Sequence, residues 1–230
     1  MMRKNGPLRA LLALLVAGAV TFVSLYAGRI LPDWEGGFLP DSFLTHSLML
    51  LLSLALARIF SKGRLSLFGL TRGTYRFSPK ILLWALPTAV FSVLSTLGPE
   101  AGGEGGVVGD LSRPQIILFV WIYASVCEEV LTRGLLQTLL YQEGKPAEGT
   151  RRLSGPVILS GLFFGAMHLV LVSSMGPAAA PVIVLATLLG LLAGSYRQKT
   201  GSLIPAVLVH MLFNIGGMLP LWIIASARGG

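Results

Sequence analysis

Long apolar runs separated by short polar breaks dominate the chain. A helix rises about 1.5 Å per residue, so ~20 apolar residues cross a hydrocarbon core of about 30 Å. About seven runs approach that length, at 8–27, 42–57, 81–97, 114–141, 155–172, 178–196 and 202–224. The pattern therefore predicts an all-α fold, a polytopic membrane helix bundle of about seven transmembrane helices in one integral membrane domain. Residues 1–80 supply the first two spans and a polar linker, and residues 81–230 the remaining five, with the chemically interesting part at 114–224. Arg3, Lys4 and Arg9 give the N-terminus the look of a signal peptide. The uncharged run behind them is longer than a signal sequence needs and lacks a small-x-small cleavage site, which predicts a retained helix. Pro87 is expected to kink the third span. Gly161 and Gly165 in the fifth, and Ala186, Gly190 and Gly194 in the sixth, recur at the four-residue spacing that lets helices approach closely.

Composition supports the membrane reading: 53% of the 230 residues are hydrophobic and 12% charged, against about 25% charged in a soluble domain. The net charge of +8 is explained by cytoplasmic loops and does not require nucleic acid. Arg58, Lys62, Arg64, Arg72, Arg76 and Lys80 occupy one stretch without an acid, whereas the first loop holds Arg29, Asp33, Glu35 and Asp41. With Lys145, Arg151 and Arg152 after the fourth span, and Arg197 and Lys199 assigned to the loop after the sixth, the count places the N-terminus in the cytoplasm. Leu65, Leu67, Phe68 and Leu70 suggest that the basic segment lies on the headgroups. The run 101–106 is glycine-rich but lacks the Gly-Lys-Ser/Thr of a phosphate cradle and reads as an outer loop. Cys127 is the single cysteine, which excludes an internal disulfide; no base is fixed beside it, so it reads as packing. Trp34, Trp84, Trp121 and Trp222 lie near the ends of apolar runs, as in an interfacial belt or a core. His46, near the outer end of the second span, reads as an interfacial or packed histidine.

The fourth run contains Glu128, Glu129 and Arg133. One charge at the centre of a bilayer costs roughly 3 kcal/mol on insertion scales, so three within six residues require partners or a task. Glu129 and Arg133, four apart, share a helix face, while Glu128 points about 100° away. In the simplest arrangement Arg133 neutralises Glu129, and Glu128 is left for another task or for a partner on another helix. The helical rise puts Glu128 ~18 Å, His168 ~20 Å and His210 ~12 Å along their spans, with Asn214 one turn beyond. All four fall in one slab of the membrane. A carboxylate there can act as general base for water, a histidine can share that water, and a second histidine with an amide can donate to an oxyanion. Two histidines and a glutamate are also a zinc set with an open position, so a zinc ion on Glu128, His168 and His210 stands beside a metal-free route.

Glu128-Glu129-x-x-x-Arg133, Phe164-x-x-x-His168 and His210-x-x-x-Asn214 resemble, in order and spacing, the three motifs of the CPBP family of intramembrane proteases. The family includes type II CAAX prenyl endopeptidases and bacteriocin-immunity-type proteins. Thr132 stands where bacterial members often carry an aromatic, and Leu67 to Leu70 echo the family's linker. The resemblance implies that Glu128 activates water with help from His168. It makes Glu129 and Arg133 supports, His210 and Asn214 the oxyanion site, and Phe164 a pocket wall. The expected activity is hydrolysis of a membrane-anchored or lipid-modified peptide, in the inner membrane if the source is bacterial. The bilayer and a membrane-embedded substrate are then the partners. A non-catalytic immunity or regulatory protein is the alternative. A proton-coupled transporter is a third reading, and no internal repeat supports it.

Overall fold

The computed structural model describes residues 6–31, 37–95, 111–141 and 153–228. Among these residues every regular element is helical. We label them α1 (Gly6–Ile30), α2 (Ser42–Phe60), α3 (Pro79–Ser95), α4 (Arg113–Leu140), α5 (Gly155–Met167), α6 (Ala179–Thr200) and α7 (Ile204–Arg228). Five helical stretches are long and apolar enough to cross a membrane: α1, α2, α4, the stretch Gly155–Thr200, and Ile204–Ile224 within α7. The other expected runs are shorter or joined. The described part of the third run is the shorter apolar helix α3, 3₁₀ from Pro79 to Ala85 and α-helical from Leu86 to Ser95. Pro87 sits second in the α-helical part, next to the change from 3₁₀ to α. The fifth and sixth runs are joined by short helical turns from His168 to Ala178, without a polar break.

That stretch doubles back. A Cβ on Gly161 would lie 2.8 Å from Leu191 Cδ2, and one on Gly165 would lie 2.0 Å from Thr187 Oγ1, so α5 and α6 run antiparallel at backbone contact. Lipid tails are as apolar as Leu, so such contact, rather than hydrophobic burial, drives helix association. Gly190 fixes the register: a Cβ there would meet Gly161 Cα at 2.8 Å and Arg133 Nη2 at 3.0 Å. Gly190→Val should therefore lower the melting temperature in detergent by several degrees, as overpacking by ~1–3 kcal/mol does. Gly217→Ala, which enters open space, should leave it unchanged.

Two apolar clusters flank the middle of the bundle. One joins Ala13, Ala17 and Val20 of α1 and Met49 and Ala57 of α2 to Leu131, Leu135, Leu136 and Leu140 of α4. The other joins Phe164 of α5 and Ala186, Leu189 and Ala193 of α6 to Ala206, Val209 and Phe213 of α7. The 28 residues of α4 separate them. Its π-helical turns at Ile116–Ala124 and Val130–Leu136 bracket an α-helical turn, Ser125–Glu129, that carries both glutamates. Such wide turns within helices concentrate at functional sites.

The basic linker is anchored to the bundle. Gly69 takes φ +84° against Arg197, where a Cβ would lie 2.5 Å from the guanidinium Nε. Leu203 N–H donates to Gly69 O (3.0 Å), and Thr74 N–H to Thr200 O (2.9 Å). Arg197 corrects the expectation of a loop cation. It is buried inside α6 and donates to Leu67 O at 3.1 Å. Trp121 is also buried and stacks on Trp222 with centroids 5.1 Å apart, so it belongs to the core rather than to a belt. Arg3, Lys4, Asp33, Trp34, Glu35, the run 101–106, Lys145, Arg151 and Arg152 lie outside the described residues.

Candidate active site

Glu129 and Arg133 pair as the four-residue spacing requires, Nη1 donating to Oε1 at 3.0 Å, both side chains fully buried. Two further contacts hold the guanidinium. Nη1 reaches Thr132 Oγ1 at 2.5 Å, and Cζ lies 4.6 Å above the Phe164 ring. Thr132 in turn donates to Glu128 O at 2.6 Å. A lone buried charge would be strongly unfavourable; ion pair, hydroxyl and ring face together offset it.

His210 of α7 meets the same carboxylate, Nδ1 lying 3.0 Å from Glu129 Oε1. Only an acceptor is available on Glu129, so Nδ1 carries the hydrogen and donates. Nε2 is left facing Glu128, 3.9 Å from Oε2. That oxygen is buried and makes no hydrogen bond among the described residues. His168 caps the end of α5, where its Nδ1 donates to Phe164 O at 2.9 Å. Its Nε2 therefore remains an acceptor. The fully buried Phe164 ring joins these groups: it lies 5.0 Å from the His168 ring, 5.4 Å from His210 in an edge contact, and beneath Arg133. Phe164 thus packs against both imidazoles and the Arg133 guanidinium.

Asn214 lies between α7 and α4. Its amide donates to Val120 O and Ser125 Oγ, each at 3.1 Å, and so ties α7 to α4 one turn beyond His210. Both hydrogens are engaged there. His46, read from the sequence as a packed or interfacial histidine, instead contacts Glu128: Nε2 lies 3.2 Å from Oε1, and Nδ1 donates to Ser42 O at 2.8 Å. No spacing rule joins positions 46 and 128, and the one available signal was a histidine near a helix end at comparable depth.

The zinc set is testable on these positions. The donor types suit zinc, but the arrangement does not. Among the described residues no three His, Cys, Asp or Glu side chains are grouped to hold an ion. Glu128 Oε2 and His210 Nε2 are 3.9 Å apart, wider than the roughly 3.3 Å across a tetrahedral ion with ~2.0 Å bonds.

Three helices thus bring His168, His210 and the Glu129-bound Arg133 around one aromatic ring, in positions drawn from all three motifs. Residues 111–216, which contain all of them, match the family described as type II CAAX prenyl endopeptidase Rce1-like. This part of the chain, just under half of it, is similar to the Rce1-like family. No curated protein sequence and no solved structure matches the chain. The Rce1-like match agrees with the motif resemblance and supports a protease of the CAAX type in general, and the long apolar helices point to an integral membrane protein. His46 lies outside the matched range.

Proposed function

We propose that the chain hydrolyses a peptide bond of a membrane-anchored or lipid-modified substrate with water activated by Glu128. The observation that carries this is the pairing of Glu128 Oε2, buried and without a hydrogen bond, with His210 Nε2 at 3.9 Å. A water bonded to both at about 2.8 Å fits that separation. Glu128 takes the water's proton as its oxygen attacks the carbonyl carbon, and Glu128 then returns the proton to the leaving amine. Glu129 holds the His210 tautomer, and Arg133 holds Glu129. The water's two hydrogens point at Glu128 and His210, so His168 Nε2 is left to accept from the leaving amine. His210 donates to the oxyanion when its Nε2 is protonated; Asn214 joins it only after releasing Val120 O or Ser125. No step runs through a metal. In the bilayer we place seven crossings with the N-terminus inside: α3 as a short crossing, and α5 and α6 as the two legs of a hairpin.

The test is hydrolysis of a farnesylated peptide with a CAAX tail by the purified protein in detergent, read by product mass. New fragments that differ by one water support the proposal; an intact peptide under all lipid conditions refutes it. Washing with a strong chelator should leave kcat/KM unchanged, and a loss that zinc restores would contradict the metal-free route.

A further inference from the structure

Glu128 has two oxygens in unlike surroundings. Oε2 faces His210, and within the family-matched range no hydrogen bond among the described residues holds Oε1. That bond comes from α2, through His46 Nε2 at 3.2 Å. The imidazole is oriented at its other end by Ser42 O, 2.8 Å from Nδ1. Its turn of helix is docked on α4 on both sides. Ser47 Oγ lies 2.8 Å from Tyr123 OH, the Phe43 ring stacks on Tyr123 at 5.3 Å, and it meets Phe119 edge-on at 5.8 Å. Both partners are largely shielded, with side-chain exposures of 17% for His46 and 15% for Glu128. Acceptors stand at both ring nitrogens, so the two bonds form together when the His46–Glu128 pair shares one proton beyond the Nδ1 hydrogen.

We infer that His46 is a positioning residue for Glu128: it holds one carboxylate oxygen so that the other stays aimed at the water and His210. The α1–α2 pair, outside the family-matched range, thereby completes the active site. This rests on the hydrolase reading. A base held off its line loses rate without losing substrate affinity, and a displacement of about 1 Å costs on the order of 100-fold.

The chain has three histidines, so ring-15N NMR of the full-length protein in micelles resolves each, with His46→Gln assigning the first. Glu128→Gln should move the His46 Nε2 signal. On the farnesylated peptide, His46→Ala should lower kcat about 10- to 100-fold with KM within about twofold. His46→Gln, whose amide can still donate to Oε1, should recover part of that loss, and the melting temperatures of both should stay near the parent's. A His46 signal indifferent to Glu128→Gln, or an unchanged kcat in His46→Ala, overturns the inference. If the parent protein cleaves nothing, the hydrolase reading falls and the positioning role with it, while the NMR arm still decides whether the pair forms.

Discussion

Glu128→Gln should reduce kcat about 10³-fold, within the ~10²–10⁴-fold range of a lost general base, and leave the fold in place. The amide has the shape of the carboxylate, and its NH2 can donate to His46 Nε2, which lies 3.2 Å from Oε1 in the parent. It cannot take a proton from water. Glu128 does not hold the ion pair of the site: Arg133 bonds Glu129 at 3.0 Å. The melting temperature should therefore stay within a few degrees while steady-state cleavage of the farnesylated peptide collapses. Retained turnover would place the base elsewhere.

Arg133→Met should act in the opposite way, on folding first. The guanidinium is fully buried, bonds Glu129 and Thr132, and covers the face of Phe164. Removing it leaves the buried Glu129 carboxylate with His210 alone, and breaking such a pair costs about 3–5 kcal/mol. Thermal denaturation in detergent should show a large fall in melting temperature, or no monodisperse protein. Arg133→Lys should rescue only part, because a point charge cannot both bond the carboxylate and lie flat on the ring. The double replacement Glu129→Gln with Arg133→Met removes both charges and should recover most of the stability. It should not recover activity, since Glu129 no longer fixes His210 as a charged acceptor. A stable Arg133→Met single variant would show that the pair is dispensable to the fold.

The sequence foretold the parts of the site that follow from constant helix geometry. The rise per residue put Glu128 and His210 at one depth, and the helical period put Arg133 on Glu129, because neither depends on how helices pack. The glycine spacing likewise announced the close α5–α6 contact. Contacts made by packing alone stayed hidden. His46 reaches Glu128 across 82 positions, and no local pattern encodes that. Arg197 read as a loop cation because its neighbours are polar, yet it is buried under the linker, donating to Leu67 O. The Asn214 amide bonds to Val120 O and Ser125 Oγ likewise come from packing. Five helical stretches are long and apolar enough to cross, because the fifth and sixth runs are continuous in helix and the described third run is shorter.

Whether the acid of α4 and the imidazole of α7 act on one water molecule is decided by a double-mutant cycle on kcat. Measured with the farnesylated peptide, Glu128→Gln, His210→Ala and their combination should give a double variant no slower than the worse single one, as groups acting in a unit do. Losses that multiply would mean that the two side chains work on separate events and that no shared water joins them.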